Sequence, residues 1–226
     1  MKEQLMDTHG AGYGAELFSH RAGCRAGTVA GALLLLGQVS LAAAGLQAGP
    51  SFDCAGVEAG SIEATICSDT DLSALDRQLA MVYTSASAKA HNEHPPVLKT
   101  EQRGWIKGRD DCWKAADQRA CVEEQYRLRI AELQARYALV EATGPVFYAC
   151  DGNPANEVVV TFYATEPPTL IAERGDQVSF MTRERAASGA KYTGRNESFW
   201  EHQGEATLVW GFEAPEMRCK PRSGAD

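Results

Sequence analysis

The chain has 226 residues, a formal net charge of −8 and 44% hydrophobic residues, which is enough length for one large or two small domains with their own cores. An acidic balance of this kind disfavours nucleic acid and anionic membrane surfaces as partners, because both demand basic patches. It suits a cationic protein partner, whose complementary field would steer encounter.

Residues 1–48 read as an export signal. Arg21 and Arg25 precede the apolar run GTVAGALLLLGQVSLAAAG, which ends in Ala42, Ala43 and Ala44, with Ala48 shortly after. The expected mature start lies between Gly45 and Ser51, in an oxidising, periplasmic setting. An uncleaved anchor is the lesser alternative, since this core is short and rich in Gly and Ala beside the roughly 20 apolar residues of a spanning helix. Cys24 precedes the run and is expected to leave with the signal.

The remaining cysteines, Cys54, Cys67, Cys112, Cys121, Cys150 and Cys219, form an even set, as expected of disulfides in an exported chain. They fall into two closely spaced pairs and one wide pair, so the expected bonds are 54–67, 112–121 and 150–219. The wide pair closes a loop of about 70 residues, for which chain entropy gives roughly 4 kcal/mol. No CxxC spacing favours zinc.

From Ser51 to about Ala142 the pattern is helical. Leu72, Leu75, Leu79, Val82, Tyr83 and Ala86 recur at steps of three and four, with Asp69 or Asp71 as the N-cap. Pro95 and Pro96 end that helix, and a second carries Leu98, Trp105 and Ile106 on its inner face, weakened by Gly104 and Gly108. A third face is traced by Val122, Tyr126, Ile130, Leu133 and Tyr137 before Gly144 and Pro145 stop it. The expectation is a small disulfide-stapled helical bundle over residues 49–142. The elements FDCA, IEATIC, LDRQLAMVY, EQRGWIKGRDDC and CVEEQYRLRIAEL, covering roughly residues 52–137, resemble the LprI-like domain, an exported helical family named for a lysozyme inhibitor. Trp105, Lys107, Arg109 and Asp110 are read as core and ion-pair residues rather than as a site.

Beyond Pro145 the period changes. VVVTFYA, TLIAER, QVSFMTR, ESFWEH and EATLVWGF are β-branched or aromatic runs separated by turn residues, with a hairpin at Gly175 and Asp176. They point to an antiparallel sheet or small barrel. Residues 142–146 are read as the linker, and 146–221 as the second domain. The fold class is thus α+β with two domains, a helical bundle and then a small antiparallel β-barrel.

The stretch SGAKYTGRNESFWEHQGEAT, Ser188 to Thr207, holds two polar turns around an aromatic pair. Ser188 and Gly189 form a compact tip with one donor and two acceptor sites, braced by Tyr192. Phe199 and Trp200 read as the packed part of a strand, and Glu201, His202, Gln203 and Gly204 as a second turn pointing the same way. With Tyr148, Cys150 and Cys219, the segments SGAKY, FW and GEAT resemble the C-type lysozyme inhibitor family, MliC and PliC, over roughly residues 146–220.

That resemblance implies a small β-barrel whose partner is a c-type lysozyme, typically a basic protein, and which uses no cofactor. It implies that Ser188 enters the lysozyme cleft and bonds the catalytic carboxylates, with a second-turn lysine pairing one of them. Gly189, Lys191 and Tyr192 accompany Ser188 in that motif. Here the lysine position holds His202, so the charge of the second turn is expected to depend on pH. Lys191 is the alternative source of charge. The chemistry is coherent, because retaining glycosidases need two carboxyl groups about 5 Å apart.

Other readings are weaker. Ser188 and His202 lack a nucleophile elbow, so the chain is not expected to be an enzyme. His91 and His94 have no third ligand and read as a helix end. The competing functional class is an envelope binding or structural protein that keeps the domains without inhibiting.

Overall fold

The computed structural model describes residues 49–93 and 96–222. Residues 1–48, read above as an export signal and containing Cys24, and also His94 and Pro95, lie outside the described residues. No helix among the described residues is long and apolar enough to cross a membrane.

Among the described residues four α-helices come first: α1 Ile62–Ser68, α2 Thr70–Lys89, α3 Val97–Asp110 and α4 Gln118–Arg136. Three begin at a side chain that satisfies orphan amides. Ser61 Oγ accepts from Ala64 N–H, Asp69 Oδ1 from Asp71 and Leu72 N–H, and Asp117 Oδ1 from Ala120 N–H. The cap of α2 is therefore Asp69. Its carboxyl is held below its ordinary range, chiefly by the Leu72 amide, with Arg119 adding to the effect.

Their shared core contains Ile62, Ile66, Leu72, Leu79, Leu98, Val122, Tyr126, Ile130 and Leu133. Disulfide Cys54–Cys67 ties the segment before α1 to the end of that helix, and Cys112–Cys121 ties the turn after α3 to the start of α4. Inside it runs a polar chain. Tyr126 Oη donates to Asp76 Oδ1 at 2.8 Å and accepts from Arg109 Nη1 at 3.0 Å. Arg109, also bonded to Glu63 and Asp110, lies over the Trp105 and Tyr126 rings. Such a buried cation persists because every side of it is met by an acceptor or a ring. Ile106, expected on the inner face of α3, is exposed. Leu98, Trp105 and Arg109 lie at helical spacings of seven and four and fill that face, which turns Ile106 outward.

Eight strands follow: β1 Ala142–Cys150, β2 Asn153–Tyr163, β3 Thr169–Arg174, β4 Gln177–Glu184, β5 Ala190–Thr193, β6 Glu197–His202, β7 Glu205–Trp210 and β8 Met217–Pro221. Each pairs antiparallel with the next, and β1 pairs with β8 to close a barrel. The residues read as a linker are a correction: 142–146 open β1, with Ala142 opposite Tyr163 and Thr143 opposite Phe162. Gly144 and Pro145 sit at a register shift between Thr143 and Val146, so they bend the strand rather than end the chain.

The barrel interior is filled by side chains, including Tyr148, Val158, Val160, Leu170, Met181, Tyr192, Phe199 and Leu208. Phe199 meets Tyr148 edge-on at 5.3 Å between centroids, a favoured aromatic geometry. Cys150 and Cys219 are register partners and are bonded, which locks β1 to β8. The bundle and the barrel meet along α4, which lies against β3 and β4.

Candidate functional site

An up-and-down barrel sends alternate connections to opposite ends. The β4–β5 loop, residues 185–189, and the β6–β7 turn, Gln203 and Gly204, therefore emerge at the same end. Gln203 has φ +53° and Gly204 φ +81°, the two positive values that a tight primed hairpin turn requires.

The two turns are tied to each other. Trp200 Nε1 donates to the Ser188 carbonyl at 3.0 Å, and Ala190 faces Glu201 across the β5–β6 ladder. Gly189, at φ +70°, passes directly over the Glu201 carbonyl. Ser188 and Gly189 are exposed at the tip.

Strand alternation decides what surrounds them. Phe199 is 0% exposed in the core and Trp200 is 39% exposed on the outer wall. The expectation that both are packed residues is corrected: neighbours on one strand face opposite ways, and only the odd-numbered one points inward here. His202, two residues on, shares the outer face and stacks on Trp200 with 5.8 Å between centroids and 24° between planes. Tyr192 is buried at 6% and faces Phe199 across the ladder. It braces β5 from inside and offers no surface to a partner.

Lys191 is the cross-strand neighbour of Trp200, Trp200 of Thr207, and Thr207 of Arg218. This places Lys191, Trp200 and Arg218 in one row on the outer wall, with His202 beside them. A groove of about 550 Å³ is lined by Trp200, His202, Gln203, Glu205, Thr207 and Arg218. Glu205 bonds Lys220 Nζ at 2.9 Å, and that hydrogen bond holds its carboxyl below the usual range. The wall is thus cation-bearing on a chain that is acidic overall.

Inside the same end sits Glu201, half-buried between Ala190 and Ala206. Burial pushes the Tyr148 hydroxyl up to about 12, with the Glu201 charge contributing. Tyr192 is also raised, first by burial. Both phenols are therefore neutral at physiological pH.

Trp200 is the site residue that sequence reasoning misplaced, and Arg218 and Lys220 are those it passed over. The signal for Trp200 was available, because Phe199 and Trp200 cannot share one face of a strand. Nothing local marks Arg218 or Lys220, which join the site only through β7–β8 pairing.

Residues 54–133 match the family model described as lysozyme inhibitor LprI, and residues 148–217 match that of the membrane-bound lysozyme-inhibitor of c-type lysozyme, MliC. The order is that of the helical bundle and the barrel. Curated relatives include the lipoprotein LprI of Mycobacterium tuberculosis, strain H37Rv, and of Mycobacterium bovis. Each is 33% identical over 163 residues, spanning 71% of this chain and 80% of the relative. Since the similarity exceeds what either the bundle or the barrel could supply alone, the chain belongs to the LprI family, whose helical LprI domain and MliC barrel are both lysozyme-inhibitor domains.

Proposed function

We propose that this chain is an exported periplasmic inhibitor of c-type lysozyme, and that it acts by inserting the Ser188 loop and the His202 turn into the enzyme's cleft. The observation that carries the reading is the Trp200-to-Ser188 hydrogen bond, which ties the Ser188 loop to the strand that leads into the His202 turn. Preorganising both turns lowers the entropy that a plug must lose on binding.

The chemistry follows from the target. A retaining glycosidase works with two carboxyl groups about 5 Å apart. The Ser188 hydroxyl can donate to an ionised carboxylate or accept from a protonated one. His202 supplies a cation when protonated, and its Trp200 partner holds the ring flat against the barrel wall. Lys191 and Arg218 extend the positive wall along the cleft's rim, while the net negative charge steers a basic enzyme inward. Tyr192 serves the fold rather than the contact.

The test is peptidoglycan lysis by a c-type lysozyme in the presence of the exported chain at pH 6 and pH 8, beside Ser188→Asp. Stoichiometric inhibition that Ser188→Asp abolishes supports the plug, since a third carboxylate faces two others. Stronger inhibition at pH 6 assigns the charge to His202, and equal inhibition assigns it to Lys191. Failure to inhibit or bind at either pH overturns the proposal in favour of a non-inhibitory envelope binding protein.

A further inference from the structure

Away from the turns, Arg129 on α4 holds a buried side-chain nitrogen without a partner among the described residues. Its side chain is 3% exposed. Nε donates to Gln102 Oε1 at 3.0 Å and Nη1 to Glu132 Oε2 at 2.8 Å, but Nη2 is buried with no hydrogen-bond partner. Leaving a buried donor unmet costs about 1–3 kcal/mol, more for a charged group. Buried polar groups in native proteins are nearly all paired, so the exception calls for an acceptor from outside the chain.

Arg129 lines a groove of about 650 Å³ between α4 and the barrel. That lies within the roughly 300–1,000 Å³ of small-ligand sites. Arg136 and the exposed Arg195 line it too, with Glu132 and Glu197. Both carboxylates are already engaged. Glu132 also accepts from Arg136 Nε at 2.9 Å, and Glu197 accepts from the Ser179 hydroxyl and the Asn196 amide. Arg129 Nη1 also lies 3.8 Å from Glu101 Oε2, so the three guanidiniums are matched by three carboxylates, and what the groove offers an anion is the unmet Nη2 edge together with the exposed Arg195.

We propose that this groove binds a small ligand bearing a free carboxylate, with the C-terminus of a short peptide as its chemical type. Arg129 is the deep anchor, and Arg136 and Arg195 stand at the mouth. A guanidinium fork matches a carboxylate in shape. A single unmet guanidinium N–H group among otherwise paired charges suits a monoanion better than a phosphate carrying roughly −1.5 to −2. Reaching Nη2 requires the long side chains at the mouth to part, so the dissociation constant is expected to be on the order of 1 mM. The site is separate from the turn end, and its test is independent of lysozyme inhibition.

The experiment is calorimetric titration of the exported chain with N-acetyl-trialanine, with its C-terminal amide, and with inorganic phosphate. The acid is expected to bind about tenfold more tightly than the amide, and more tightly than phosphate. Arg195→Ala should weaken the acid by about threefold to tenfold without moving the melting temperature, because an exposed side chain adds little to stability. Arg129→Met should abolish binding; if it fails to fold, Arg136→Ala takes its place, with the same expectation as Arg195→Ala. Equal binding of acid and amide, phosphate binding as tight as the acid, no binding by about 10 mM, or Arg195 and Arg136 variants that bind like the parent would each overturn the proposal.

Discussion

Gly189 rests on the backbone of Glu201: a Cβ added at Gly189 would stand 2.1 Å from the Glu201 carbonyl oxygen. That oxygen belongs to the β6 ladder and cannot rotate aside, and the φ of +70° at Gly189 already disfavours a side chain. Gly189→Ala is therefore expected to lift the Ser188 loop off β6. The variant should lose about 1–3 kcal/mol of stability and inhibit lysozyme at least about tenfold less well, a factor equal to about 1.4 kcal/mol. Inhibition titration beside a denaturant melt separates the two effects. An alanine variant that inhibits as well as the parent would show that the loop's position does not matter.

Trp200→Phe isolates the tether. Phenylalanine keeps a ring beside His202 but has no N–H for the Ser188 carbonyl. Because that bond is at the surface, stability should fall by no more than about 0.5–1.5 kcal/mol, while inhibition weakens by about threefold to tenfold as the loop becomes less ordered. The neighbouring Phe199→Ala should behave in the opposite sense, costing about 3–5 kcal/mol by opening the barrel core. Unfolding curves of the two variants, set beside their inhibition, would show whether adjacent residues divide between fold and site.

Alkaline stability should depend on Tyr148. Its folded-state value is raised from 10.0 to about 12, so the folded state favours the neutral phenol. This contribution is fully present below the unfolded value and is lost as the pH rises through the folded one. Tyr148 should therefore contribute to a fall in unfolding free energy between about pH 10 and 12, alongside Tyr126, Tyr137, Tyr163 and Tyr192, whose phenols burial also raises. Tyr148→Phe should make that decline shallower by its own share while leaving neutral-pH stability within about 1 kcal/mol. Denaturant melts across that range, with tyrosinate absorbance as a second readout, would check it.

The acid limb should report Asp69. Its carboxyl lies below the ordinary value of 3.8, so its stabilisation is present above that value and is lost as the pH falls through the lower folded one. Asp69→Ala removes the α2 cap and should cost about 0.5–2 kcal/mol at pH 7. Asp69→Asn keeps a capping oxygen, so it should lose much less at pH 7 and lack the acid dependence. Melting temperatures at pH 7 and pH 3 distinguish the three chains.

Much of the bundle is legible in the sequence because its signals are local. Leu72, Leu79 and Ala86 repeat at helical spacing, and Asp69 stands where a cap must. Cysteine spacing likewise indicates the three bonds that form, since each expected partner is the nearest one left within its own region. The barrel is legible in its long strands but not in three others. β1 contains Gly144 and Pro145, which read as a stop, although a bulge absorbs them. β5 is four residues long and lies inside what reads as a polar loop. β8 is five residues long and ends in Pro221, and its alternation of Met217 and Cys219 with Arg218 and Lys220 has too few apolar positions to mark a strand. At the site, Ser188, Gly189 and His202 are visible as turn chemistry. The tie between them is not, because it depends on a register that pairs β5 with β6. Arg129 is hidden for the same reason, since Gln102 lies 27 residues away and only packing brings it near.

The Cys150–Cys219 bond encloses every strand from β2 to β7, and with them both turns of the site. The exposed β4–β5 loop carries Arg185, a cleavage point for any protease that cuts after basic residues. Cleavage in residues 185–189 would leave two fragments that remain covalently one molecule, each half still paired along the ladders on its uncut side. The nicked chain would separate only after reduction. The disulfide is thus a safeguard against the loss of half the barrel, and under the proposed mechanism a cut Ser188 loop would still be held beside β6.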